Sequence, residues 1–334
     1  MRAALLPAGG DPYLLAYWLR NYATWADEVD ELRIVVCGQN DPNVVRYIVD
    51  RVAEAPHAQV EFFQGRTDHG AVMRYLVDAT SADYIVLLED DAFVRHPGVI
   101  AERFGRIERG EVDVIGTARG NSGPNLLTRA AELFGPPPRT VSGETGLSLY
   151  PCFMFARKSD IPAGNIGAWA WKAGDYIAPL DYTCHQEEAA DTFTYTSWVL
   201  RAAGLRVEGE SAYRSDSAHA PSPERHNVDG GSNTGDAPWF HVGSLSSGFG
   251  CSFMVDQDSD GYRSLVEIVR PKGELYDWHK RMSWWTRVAD VTEGELPEYH
   301  AAYRASLDRF MADVEADPAE VARWRRNYDP LVTW

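Results

Sequence analysis

Lysine is nearly absent from this chain. Of its 32 basic residues only Lys158, Lys172, Lys272 and Lys280 are lysines, and the rest are arginine. Positive charge as a whole is outweighed, with a formal net charge of −17. That excludes an extended nucleic-acid surface, which needs a basic stripe, but leaves room for a local basic pocket. Cysteine is sparse too. Cys37, Cys152, Cys184 and Cys251 are scattered without a C-x-x-C pair, so spacing supplies neither a zinc site nor a disulfide framework, and a reducing compartment is expected. No apolar run approaches the roughly 20 residues of a membrane span. The opening MRAALLPAGG turns too early for a signal peptide and reads as a first strand, so a cytoplasmic location is the expectation. Neither G-x-G-x-x-G nor a Walker motif occurs, which disfavours a Rossmann dehydrogenase or a P-loop enzyme.

What is present is an ordinary globular composition, 45% apolar and 24% charged over 334 residues. That is enough for one large α/β domain with an appendage, or for two domains. The first part alternates regularly. Short apolar runs at 3–6, 33–37, 60–63 and 84–88 read as strands. Between them lie helical segments that open at Pro12, at Pro42 and near Ala71. Asp11 stands where a helix cap is wanted. Such β-α alternation implies a mostly parallel, doubly wound sheet flanked by helices. Further on, strands are expected over 112–115 and 149–157. A helix is expected over HQEEAADTFTYTSWVLRAAG, with Glu187, Glu188 and Asp191 in or near its first turn, and a strand after Gly204.

The stretch Tyr84 to Val94, YIVLLEDDAFV, organises the rest. An unbroken apolar run with β-branched members reads as a strand buried on both faces. It stops at Glu89, Asp90 and Asp91, at the strand end where open α/β sheets bind ligands. Three adjacent carboxylates at a buried strand end need a counter-charge. Mn²⁺ or Mg²⁺ suits an all-oxygen set. A solvated acidic turn is the plainer reading of the same residues.

The run resembles the D-x-D signature, in an E-D-D form, of GT-A-fold, family-2-like nucleotide-sugar glycosyltransferases. The segment HGAVMRYLVDATSADYIVLLEDD is similar to that family's glycine, helix and acid-ended strand. The resemblance implies a GT-A, Rossmann-like fold over residues 1–245, with a donor-binding half at 1–118 and an acceptor half at 119–245. A mainly helical extension is expected over 246–334. It implies Asp91 as metal ligand, with Glu89 and Asp90 at the donor and Glu89 touching its sugar or ribose. By position, Pro7, Ala8, Asp11, Gln39 and Asp41 would lie near base and ribose, and Arg74 near the donor. Asp11 as a plain cap and Asp41 as the start of a turn are the competing readings.

The acceptor's proton needs a carboxylate within hydrogen-bond reach. The resemblance points to Asp191, then Glu188, then Glu187, although Ala190 interrupts the usual acidic pair. A late histidine that completes the metal shell is His241, in an H-x-G-S setting with Ser244 as a diphosphate donor, or else His219. The implied activity is metal-dependent transfer of a sugar from a nucleotide-sugar, a UDP-sugar being favoured, to a glycan, protein or lipid hydroxyl. Inversion by direct displacement rests on the resemblance alone. Arginine over lysine fits a GC-rich bacterium or its phage.

Three features stand apart from that pattern. Residues 256–267, DQDSDGYRSLVE, fit a calcium-loop pattern. Trp169, Trp171 and Tyr176 suit either stacking on a sugar or core packing. Trp284, Trp285 and Trp324 on the tail suggest packing on the main domain or on another subunit, with homo-oligomerisation as one outcome. Two other function classes fit parts of the pattern: a sugar nucleotidyltransferase, and a non-catalytic carbohydrate- or calcium-binding protein. The first would need a basic, glycine-rich turn after its first strand, and the chain has GGDPY there.

Overall fold

A computed structural model describes residues 1–64, 67–94, 96–117, 123–135, 148–210, 239–241 and 294–301, with isolated positions beyond. His219, Ser244, the 256–267 loop, Trp284, Trp285 and Trp324 lie outside the described residues. The first half runs β1 (Arg2–Ala8), α1 (Pro12–Tyr22), β2 (Glu31–Cys37), α2 (Pro42–Ala53), β3 (Ala58–Phe63), α3 (His69–Ala79), β4 (Tyr84–Leu88) and β5 (Ala92–Val94). There follow α4 (Val99–Glu108), β6 (Val114–Thr117), α5 (Pro124–Phe134), β7 (Tyr150–Arg157), β8 (Trp169–Trp171), β9 (Tyr176–Ile177), β10 (Tyr182–Thr183) and β11 (Glu188–Ala190). Last come α6 (Thr194–Ala202), β12 (Val207–Glu210) and β13 (Trp239–His241).

Seven strands form one sheet in the order β12-β6-β7-β4-β1-β2-β3. All pairs are parallel except those made by β7, which runs against both β4 and β6. This is the α/β architecture expected from the alternating pattern. The period of two along each strand sorts side chains between two cores. Ala4, Leu6, Val86 and Leu88 face one core with α1, α2 and α4, which supply Trp18, Ile48 and Phe104. Ala3, Leu5, Ile85 and Leu87 face the other, with Met73 and Leu76 of α3 and Leu200 of α6. Both faces of β1 and β4 are therefore dry, which is why their sequences read as unbroken apolar runs.

Three helices start at the ligand edge under aspartate caps. Asp11 Oδ1 accepts from the backbone N–H groups of Tyr13 (2.8 Å) and Leu14 (3.2 Å). Asp41 Oδ1 does the same for Asn43 (2.8 Å) and Val44 (3.4 Å). Asp68 accepts from Ala71 at 2.9 Å. Pro12 and Pro42 occupy the first helical turns, where a missing N–H costs nothing. Pro7 is tolerated inside β1 because pairing with β4 ends at Leu5. We expect Asp41→Ala to cost about 1 kcal/mol of unfolding free energy, read as a lower urea midpoint at unchanged slope.

One expectation is corrected. The helix anticipated over HQEEAADTFTYTSWVLRAAG does not contain its acids: Glu188–Ala190 is strand β11, paired antiparallel with β8, and α6 opens only at Thr194. Strong helix formers in sequence yield here to long-range pairing that buries Ala190 and Trp171. Among the described residues, no helix is long and apolar enough to cross a membrane.

Candidate active site

In a doubly wound sheet the ligand crevice opens where strand order reverses, beyond the carboxyl ends of the strands. Here β1 leads to β2 and β3 on one side, while β4 lies on the other. The reversal therefore falls between β1 and β4. The Glu89–Asp91 turn sits at this point. The backbone N–H of Gly9, just past β1, donates to Asp90 Oδ2 at 2.8 Å, tying the two strand ends together. The turn closes through Ala92 N–H to the Glu89 carbonyl (3.0 Å), and Glu89 N–H reaches Cys152 of β7 (3.2 Å). Glu89, Asp90 and Asp91 are 8%, 3% and 2% exposed, so they do not form a solvated turn.

After that turn the chain enters β5, whose partner is β13. The register sets His241 opposite Ala92, the residue next to Asp91. A histidine from far along the chain is thus brought to the carboxylate turn by backbone pairing. Trp239, two residues earlier, anchors the strand by stacking on Phe153 at 4.6 Å. Hard carboxylate oxygens on a buried turn, with a histidine strand alongside, have the chemistry that a Mn²⁺ or Mg²⁺ ion takes. Among the described residues, no three His, Cys, Asp or Glu side chains are grouped so as to hold a metal ion.

Along the loops that follow β1 and β2, Ala8 ends β1 and is buried together with Pro7. Asp11 is 2% exposed, and burial drives its carboxyl well above the usual range, reinforced by the Asp90 charge and opposed by its two cap bonds. Its second oxygen, Oδ2, is buried without a hydrogen-bond partner. Such an atom costs about 1–3 kcal/mol until a donor arrives. Gln39 is buried and links two loops: Nε2 donates to Gly10 O (2.9 Å), and Oε1 accepts from Asp41 N–H (2.9 Å). Gly10, at φ +85, lies so close that an added Cβ would stand 2.8 Å from Cys37 O.

Arg74 is held by both oxygens of Asp78 and by the carbonyl of Pro162. We expect Arg74→Ala to change nucleotide affinity by less than about 0.5 kcal/mol, checked by calorimetry with UDP and Mn²⁺.

Sequence reasoning passed over His69. It begins α3 and places Nε2 3.5 Å from Glu89 Oε1. The available signal was its place at the start of the helix that feeds the acidic strand.

Close contacts link the start of α3 to the turn that holds Asp191. Gly70 packs against Gly167 so tightly that an added Cβ would fall 2.1 Å from Gly167 Cα. Ile166 O accepts from Phe193 N–H at 2.8 Å. Asp191 sits in the turn that ends there, with Thr192 N–H on its Oδ1 (2.7 Å) and Thr194 N–H on its carbonyl (3.1 Å). It is half-buried. Glu188 is 5% exposed, accepts from Asn125 Nδ2 at 2.8 Å and abuts Gly123, so it anchors the start of α5. Glu187 is exposed.

No protein-family model matches the chain, and no curated protein does. Among solved structures, it is similar to a mannosyltransferase from Pyrobaculum calidifontis in complex with GDP-Man and Mn²⁺, at 12% identity and a TM-score of 0.40, over 63% of this chain and 54% of that one. It is also similar to TarS from S. aureus, at 13% identity and a TM-score of 0.34, over 48% of each chain. M. tuberculosis glucosyl-3-phosphoglycerate synthase matches at 17% identity and a TM-score of 0.33, over 48% of this chain and 58% of that one. The chain spans about half the length of the solved structures that it matches.

Proposed function

We propose that the protein is a GT-A glycosyltransferase that moves a sugar from a nucleotide-sugar to an acceptor hydroxyl, with Mn²⁺ or Mg²⁺ held by Asp91 and His241. The observation that carries this reading is the buried Glu89–Asp91 turn at the strand-order reversal, bound by Gly9 and flanked by the His241 strand. A divalent ion there supplies charge to a departing diphosphate.

This chain's own residues do the rest. Asp11 caps α1 at the crevice edge and so shapes the loop where the resemblance puts base and ribose. Glu89 orients the sugar or ribose, steadied by His69. Asp191 takes the acceptor proton, since it is half-buried whereas Glu188 is spent on Asn125. Direct displacement with inversion follows from the sequence resemblance. Expected partners are a UDP-sugar or another nucleotide-sugar and a glycan, protein or lipid acceptor.

A thermal-shift panel of UDP-, GDP- and dTDP-sugars, each with and without Mn²⁺, tests the reading. One nucleotide should stabilise the protein in a metal-dependent way, and no shift with any of them would overturn the proposal. Release of pyrophosphate from a nucleoside triphosphate would instead identify a nucleotidyltransferase.

A further inference from the structure

The segment at 294–301 has no part in the chemistry above, yet it packs on the two helices that begin at the crevice edge. Pro297 opens a helical turn, in which His300 N–H donates to Leu296 O at 2.9 Å. Leu296 and Tyr299 are 8% and 6% exposed and belong to the core that α1 and α2 share with the sheet. The Tyr299 ring meets Tyr13 of α1 edge-on, with centroids 5.5 Å apart at 80°, and the His300 ring meets Tyr13 at 5.8 Å. On α2, Glu295 pairs with Arg51. Leu296 and Tyr299 also line one cavity with Asp41, Asn43 and Val44, the cap and first turn of α2. One short segment thus bridges the first turns of both helices.

What those turns hold decides what the bridge does. Tyr13 N–H is one of the two donors on Asp11 Oδ1, so the ring gripped by Tyr299 belongs to the residue that fixes the α1 cap. Asp11 follows Gly10, whose carbonyl accepts from Gln39 Nε2, and Gln39 Oε1 accepts from the N–H of Asp41, the α2 cap. In the same loop Gly9 N–H holds Asp90. Contacts therefore run unbroken from Tyr299 through Tyr13, Asp11, Gly10 and Gln39 to Asp41, with a branch from Gly9 to the acidic turn. Gln39 ties the two loops, and Tyr299 ties the two helices that continue them. Burial alone would be served anywhere along α1 and α2. Contact at their first turns also fixes the loops in advance of a ligand, which lowers the ordering cost of binding.

Resting on the reading of these loops as the nucleotide site, we infer that residues 294–301 are a clasp that holds the loops after β1 and β2 in their nucleotide-binding form, with Tyr299 as the positioning residue. Such coupling is reciprocal, so nucleotide must tighten the clasp as much as the clasp tightens nucleotide. Calorimetry on the full chain with UDP, GDP and dTDP, each with Mn²⁺, tests the first half. Tyr299→Ala should weaken the nucleotide that the native chain binds about tenfold, and Tyr299→Phe, which keeps the ring, should restore it. Val52→Ala, a buried truncation in the last turn of α2, should lower the melting temperature and leave affinity unchanged. Hydrogen exchange followed by mass spectrometry on the native chain tests the second half. The same nucleotide should slow exchange over 294–301.

The inference is overturned if Tyr299→Ala keeps native affinity, if Val52→Ala loses as much, or if nucleotide leaves exchange over 294–301 unchanged. Should Tyr299→Ala not fold, the exchange arm on the native chain decides. A native chain that binds none of the three nucleotides defeats the donor reading and the clasp with it, whereas full affinity in Tyr299→Ala defeats the clasp alone.

Discussion

Asp91→Ala is expected to remove the Mn²⁺-dependent stabilisation by nucleotide-sugar and to lower transfer by about 10³-fold, since a metal clamp on a leaving group supplies several kcal/mol. The carboxylate is 2% exposed in a turn already held by Gly9 N–H on Asp90 and by the Ala92-to-Glu89 bond. The turn therefore has backbone reasons to persist without it. Far-UV circular dichroism and the metal-free melting temperature should stay close to those of the native protein. An unfolded variant would show that the turn needs the Asp91 charge for its own geometry. A variant that keeps its Mn²⁺-dependent shift would move the metal away from this residue.

Gly70→Ala should cost about 2–3 kcal/mol and lower the melting temperature on the order of 5–10 °C. Helix propensity alone says the opposite, because alanine in a helix outranks glycine by about 1 kcal/mol. Packing decides. The new Cβ would sit 2.1 Å from Gly167 Cα and 2.4 Å from Gly167 N, and backbone atoms cannot rotate aside. The displaced segment also holds Phe193 through Ile166 O, so the Asp191 turn should move with it and turnover should fall further than stability. Gly105→Ala in α4 is the matched control. There the added Cβ meets only the tip of the Arg109 side chain, at 2.9 Å, which can swing away. A neutral or slightly stabilising result is expected, and equal losses in both variants would remove the packing argument.

The parts of the molecule that were legible in sequence are those whose cause is local. YIVLLEDD announced a doubly buried strand with acids at its tip, Asp11-Pro12 announced a capped helix and Pro42 the opening of a second, because each signal lies within a few residues. The three-residue β5 carries no periodicity, and its partner β13 lies far away in the chain, so only their pairing brings His241 beside the acids. The same holds for β8 and β11. Glu188, Ala189 and Ala190 favour a helix by themselves and become a strand only when Trp171 and Ala190 are buried together. His69 lies ahead of the helix expected from Ala71, and only the fold sets it against Glu89. Long-range pairing, which a linear reading cannot weigh, thus assembled the surroundings of Asp191, while the loops after β1, β2 and β4 could be read almost in order.

The reversed strand β7 has a consequence for how such a protein diversifies. Because it runs against β6, Thr117 and Tyr150 both stand at the crevice edge. The chain between them leaves the sheet and returns to it on that same side, with no need to cross to the opposite end. Loop closure grows only logarithmically with length. Lengthening the connection on either side of α5, whose Leu126 and Ala130 are buried, therefore carries little thermodynamic penalty and leaves every strand in register.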